Sequence, residues 1–117
     1  MLSEWRGLEY VLEVLRVLHK NEGRHDSKKI GDFVKTENRI EVNLSYLQKV
    51  LQRMSRINLI TAASGGYQLA RPLVDITVTH VLDFCAAPDE KSPASVLVKH
   101  LKEAVSLTGI EEFYEFD

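Results

Sequence analysis

The sequence predicts a mainly α chain of the α+β class: three helices, a two-stranded hairpin, and a long final helix. Three observations carry this reading. Apolar residues recur at helical spacing through 4–20, 27–34 and 43–56. A Gly-Gly pair, Gly65-Gly66, separates two short β-type runs, and such a pair supplies the positive φ values a tight hairpin requires. The stretch 93–108 spreads Val96, Leu97, Val98, Leu101, Ala104, Val105 and Leu107 around most of a helix, so more than one side must be covered. At 117 residues, with 44% hydrophobic and 27% charged side chains, one compact domain with a genuine core is expected.

The first helix, over 4–20, carries Leu8, Val11, Leu12, Leu15 and Leu18, with Val14 and Val17 widening the stripe toward a second neighbour. Asn21 and Gly23 end it. Ser27 is positioned to cap a second helix with Ile30, Phe33 and Val34 on its inner face, and 35–39 reads as a turn or frayed end. Asn43 caps the third helix, with Val42 and Leu47 placed as a hydrophobic staple and Leu47, Val50, Leu51 and Met54 facing inward. Its outer face holds Ser45, Tyr46, Gln48, Lys49, Gln52, Arg53 and Arg56, with no acid among them. A merely solvated face usually mixes both signs of charge. Strands follow at Leu59 to Ala63 and Tyr67 to Ala70. Thr77 caps a fourth helix running to about Ala86, Pro88 and Pro93 bracket a short acidic loop, and Thr108 with Glu111 forms a capping box for a short terminal helix.

The net charge of −2 hides a segregation. Residues 24–72 carry nine cations against four acids, whereas 73–117 carry three against nine. A basic middle between acidic ends is the footprint of a nucleic-acid-binding module with a separate non-binding part. Three helices and a glycine hairpin in this order describe a winged helix-turn-helix, whose third helix fits the major groove of double-stranded DNA. On helical phase, Tyr46, Gln48, Lys49 and Gln52 are placed for base edges, and Ser27, Lys28, Arg53 and Arg56 for phosphates.

The run Leu44-Ser45-Tyr46-Leu47-Gln48-Lys49-Val50-Leu51, then Gly65-Gly66-Tyr67-Gln68-Leu69-Ala70-Arg71-Pro72 and Asp75-Ile76-Thr77, resembles the Rrf-type bacterial repressors, the relatives of IscR, NsrR and CymR. That family shows a Ser-Tyr-Leu-x-x-x-Leu recognition helix, a wing ending Gly-Gly-Tyr-x-Leu-Ala-Arg, and an Ile-Thr step into a helix. The likeness covers about residues 7–86 closely, and the later helices agree in order and length. It implies a homodimeric transcription factor with the long helix as dimer interface, and places Ser45, Tyr46 and Lys49 on the recognition helix. Residues 1–87 are then the DNA-binding domain and 88–117 the dimerisation helix with a short terminal helix.

Three departures qualify what the resemblance implies. Sensing members hold an iron–sulfur cluster on three cysteines in the loop before the dimer helix, but here Pro88 to Ser92 contains none and Cys85 is the only cysteine. No cluster, and no other cofactor, is expected. The wing, Thr61-Ala62-Ala63-Ser64-Gly65-Gly66, is short and uncharged, so its contacts to DNA should be weak. Glu37-Asn38-Arg39-Ile40-Glu41 looks like a small insertion ahead of the recognition helix.

Other constellations read as structure. Cys85 lies beside Phe84 and Ala86 with Asp83 nearby, the setting of a buried inert thiol rather than a reactive one. His19, His25, His80 and His100 show no metal-ligand spacing. Trp5 and Tyr10, with Phe113, Tyr114 and Phe116, read as packing between the termini across a dimer rather than an effector pocket. No nucleophile elbow, phosphate loop or metalloprotease helix is present, so no enzyme is expected. No signal peptide or membrane-spanning run is visible, which fits a cytoplasmic protein. Together these features predict a homodimeric repressor reading a palindromic site with helix 43–56, with no small-molecule effector assigned. The runner-up is a winged-helix interaction adaptor without DNA binding, and a third reading adds a thiol or small-molecule sensor at Cys85 and the aromatic termini.

Overall fold

The computed structural model describes residues 4–38, 41–85, 97, 100–101, 103–104 and 108–114. Helix α1 (Glu4–Lys20) is followed by α2 (Ser27–Asn38), α3 (Leu44–Arg56), the antiparallel strands β1 (Ile60–Ala63) and β2 (Gly66–Leu69), and the short helix α4 (Val78–Leu82). Three helices and a two-stranded hairpin in this order form a winged helix-turn-helix. The apolar stripes anticipated on the helices meet in one core: Val11, Val14 and Leu15 of α1, Ile30 and Val34 of α2, and Leu47, Val50, Leu51 and Met54 of α3 are all buried.

Local chemistry sets the boundaries. The cap of α2 is Asp26, one residue before the expected Ser27: its carboxylate accepts the Lys29 N–H at 2.8 Å, and its carbonyl accepts the Ile30 N–H. Ser27 is the first helical residue, and the helix continues through 35–38, where a turn or frayed end was expected. Asn43 caps α3 as expected, its side chain accepting from Tyr46 N–H at 3.0 Å. At the other end Asn58 takes φ +64, its N–H bonds Ser55 O and the Leu59 N–H bonds Met54 O. That pair of bonds is a Schellman ending, with asparagine in the left-handed position usually held by glycine.

The hairpin pairs Ile60 with Leu69 and Ala63 with Gly66, so β1 begins one residue later than the sequence pattern places it and ends as expected, while β2 begins and ends one residue earlier. A third element joins it unannounced. In the turn between α1 and α2, His25 N–H bonds Tyr67 O at 3.0 Å and Tyr67 N–H bonds His25 O at 2.8 Å. Gly66, at φ +116, is what permits this approach, because a Cβ there would lie 2.3 Å from the His25 carbonyl carbon and oxygen.

Thr77 caps α4 in a capping box with His80, whose Nδ1 accepts the Thr77 N–H at 3.0 Å while His80 N–H bonds Thr77 Oγ1. The helix closes at Leu82 and passes into a 3-10 turn, Asp83–Cys85, instead of continuing to Ala86. After residue 107 the chain returns to this body. Val78 N–H bonds Thr108 O and Ile110 N–H bonds Ile76 O, both at 2.8 Å, and Ile110 is buried in the core. Thr108 therefore serves as a backbone acceptor, and Ile110–Phe113 is a 3-10 turn begun by Gly109 rather than a helix capped by Thr108.

Most of the long helix expected over 93–108 lies outside the described residues. Leu97, His100, Leu101, Glu103 and Ala104 within it are helical, and Leu97 and Leu101 are 57% and 42% exposed.

Candidate nucleic-acid interface

Helix α3 divides into three faces. Leu47, Val50, Leu51 and Met54 are buried. Ser45, Gln48, Lys49, Gln52 and Arg56 are exposed, and positions 45, 49, 52 and 56 fall on one stripe by the 3.6-residue period. Between these faces lies a flank, Tyr46 and Arg53, seven residues apart and both half-buried.

That flank is occupied. The Tyr46 ring packs against Tyr10 of α1 with centroids 4.7 Å apart, and the Arg6 guanidinium sits over it at 4.9 Å. Burial pushes the Tyr46 phenol above its ordinary range, Arg6 opposing and Tyr10 adding. The Arg53 guanidinium lies 4.9 Å from the Phe84 ring centroid. A Cβ on Gly7 would come within 2.8 Å of Phe84 Cε1 and 3.6 Å of the Tyr46 hydroxyl, so α1, α3 and the turn after α4 meet closely here. The structure thus separates two of the nine expected residues from the rest: Tyr46 and Arg53 turn onto α1 and Phe84. The i, i+7 spacing around Val50 is the signal for it, since it puts both at the edge of the apolar stripe.

Ser27 and Lys28 open α2 beside the outer face of α3. Gln48 Nε2 donates to Ser27 Oγ at 3.4 Å, and Lys28 is exposed. Among the described residues Lys28, Lys49 and Arg56 form no ion pair. An open stripe of donors and cations, with no acid anywhere in α3, suits a polyanion whose grooves carry acceptors.

Two residues outside the expected set position this surface. The Tyr10 hydroxyl accepts the backbone N–H of Asn43 at 3.1 Å, so α1 fixes the capping residue from which α3 starts. Arg24, from the α1–α2 turn, donates through Nη1 to Thr61 O at 3.2 Å and Gly66 O at 3.1 Å, one carbonyl on each strand. Tyr10 and Tyr114, two of the five aromatic residues expected to pack between the termini across a dimer, both make contacts within their own chain. The Tyr114 hydroxyl donates to Leu12 O on α1, because the return at Thr77–Gly109 brings the tail there. Burial holds the Tyr114 phenol well above its ordinary value, with Glu13 adding and Arg16 opposing.

Comparison with known proteins agrees with this architecture. Residues 6–104 match the model of the Rrf2 family, described as iron-dependent transcriptional regulators. The structure of CymR (YrzC), the global cysteine regulator of B. subtilis, superposes with a TM-score of 0.63 at 19% identity, covering 100% of this chain and 99% of that one. CymR of Staphylococcus aureus gives 0.60 at 19% identity, covering 95% and 97%. No curated protein matches by sequence.

The iron in the family description meets a donor set that does not fit it. One cysteine in 117 residues cannot supply the thiolates of a cluster, and among the described residues no three metal-ligating side chains come together. Nor, among the described residues, is any helix long and apolar enough to cross a membrane.

Proposed function

This chain belongs to the Rrf2 family of transcriptional regulators, and from that premise we propose that it is a homodimeric repressor reading a palindromic DNA site with α3. The single observation that carries the reading is the outer face of α3: five exposed donors or cations, no acid, on a helix whose start is fixed from α1. Ser45, Gln48, Lys49 and Gln52 take the base edges, and Ser27, Lys28 and Arg56 the phosphates. Tyr46 and Arg53 act as positioning residues for α3. Residues 1–87 form the reading domain and 88–117 the association segment, a division favoured by the exposed Leu97 and Leu101, four apart on one helical face. No catalytic role is assigned to any residue.

The test is fluorescence anisotropy with two duplexes, one of random sequence and one selected from a random library, combined with mass by light scattering. Lys49→Ala should weaken the selected site by about 10-fold or more and random duplex much less. Equal losses on both would move Lys49 to the phosphate-contacting set. A second reading, an interaction adaptor that has lost DNA binding, draws on the lack of any charged residue from 59 to 70. It predicts a dimer that ignores duplex DNA even at low salt.

A further inference from the structure

The hairpin carries no charge of its own, yet a cation lies on it. The Arg24 side chain runs beside the turn, its Cβ and Cδ 3.9 and 4.0 Å from where a side chain on Gly65 would begin. Its Nη1 joins the two strands through Thr61 O and Gly66 O, and the next residue, His25, pairs with Tyr67 by two backbone bonds. Two residues further on, Ser27 meets Gln48 of α3. The segment 24–27 therefore bridges the hairpin and the outer face of α3, with its guanidinium at the hairpin end.

Two carbonyl oxygens orient a guanidinium without neutralising it. Arginine has five N–H donors spread over three nitrogens, and only Nη1 is engaged with the strands. Among the described residues Arg24 forms no ion pair. An arginine already ordered by its own fold loses little rotamer freedom when it meets an anion.

We infer that Arg24 is the phosphate-binding residue of the wing, a cation supplied from outside the hairpin that contacts the backbone of duplex DNA beside the groove α3 enters. The inference rests on the DNA-reading function proposed above and adds a partner atom class to it: phosphate oxygen, not a base edge. Arg24 therefore sets affinity and salt dependence and leaves sequence choice to α3.

Full-length wild type, Arg24→Met and Arg24→Lys are titrated against the random and the selected duplex across a salt series. Arg24→Met should lower affinity for both duplexes by the same factor, about fivefold at low salt, and reduce the slope of log affinity against log salt by about one per bound chain. Arg24→Lys should keep the slope. Hydrogen exchange at the Tyr67 N–H, paired with His25, should stay slow in both variants. If melting shows Arg24→Met unfolded, Arg24→Gln replaces it with the same expectation. An unchanged slope and affinity in the neutral variant overturns the inference, as does a loss confined to the selected duplex. Lost binding accompanied by lost Tyr67 protection makes Arg24 a structural tie and overturns it too. Wild type that binds no duplex at the lowest salt sinks the DNA-reading proposal itself, whereas wild type that binds beside indistinguishable Arg24 variants sinks the inference alone.

Discussion

The reading helix and the hairpin next to it are fixed by opposite means. Around α3 the ties are side chains: Tyr10 under the Asn43 amide, Asn43 on the Tyr46 amide, Tyr46 between Tyr10 and Arg6, Arg53 over Phe84. Around the hairpin they converge on backbone: His25 pairs with Tyr67, and Arg24 holds the Thr61 and Gly66 carbonyls. An element held by side chains is loosened by removing atoms. One held by backbone is loosened by adding them, because the pairing groups themselves cannot be mutated away.

The largest effect expected from that contrast is at Gly66. Gly66→Ala puts a methyl 2.3 Å from the His25 carbonyl at φ +116, which should cost about 3 kcal/mol or more and release the Tyr67 amide to fast exchange. A chemical denaturation midpoint near that of wild type would mean the hairpin is not held where the contrast requires. Next comes Tyr10→Phe, which keeps the ring against Tyr46 but leaves the Asn43 N–H without its acceptor. About 1–2 kcal/mol of stability should be lost, together with affinity for a selected duplex. Asn43→Ala removes the cap itself and should cost about 1 kcal/mol by the same measurement. His25→Ala sharpens the other side. The substitution deletes the ring's contacts with Asn21 O, Glu22 O and Phe33, yet Tyr67 should remain protected from exchange, since its partner is His25 backbone.

The smallest effect is electrostatic. Glu13 is pushed above the ordinary carboxylate range, chiefly by burial, with Arg16 opposing and Glu9 adding. Raised in the folded state, its pKa makes the native protein bind more protons than the unfolded chain between the ordinary and the raised value. Stability from this group is then present at low pH and falls as pH rises through that window. Glu13→Gln should flatten the dependence and leave the protein slightly more stable at neutral pH, read from denaturation midpoints across a pH series.

This division also explains what could be read from the residues in advance. The inner faces of α1 and α3 follow the helical period, and the Asn43 cap and Gly65-Gly66 turn are local, so they were visible. The family resemblance rested on those same local pieces, and the matching of residues 6–104 to the Rrf2 family agrees with it. The pairing of His25 with Tyr67 joins residues 42 apart through a single residue of a turn, which leaves no periodic trace. Arg24 reads only as one cation of the basic middle, because nothing local links it to Thr61. The side-chain bonds of Tyr10 and Tyr114 are likewise long-range, one to Asn43 and one to Leu12, and composition alone pointed to a partner chain instead. The half-burial of Tyr46 and Arg53 is not legible in the sequence for a different reason. A helical wheel ranks directions on an isolated helix, whereas α1 and Phe84 decide how much of the border is covered.

The turn between α1 and α2 has a practical consequence for anyone who wants to lengthen or label this protein. Surface connections ordinarily accept inserted residues, but here three consecutive positions are committed: Arg24 by its guanidinium, His25 by both backbone groups, Asp26 as the cap of α2. A residue inserted among them would shift the hairpin or unseat α2. Immediately upstream, Glu22 and Gly23 are exposed, but Gly23 takes φ +89, where an added side chain is strained despite the open space around it, so Glu22 is the position that accepts one. A fluorophore or spliced peptide belongs there, two residues from a place where it would dismantle the wing.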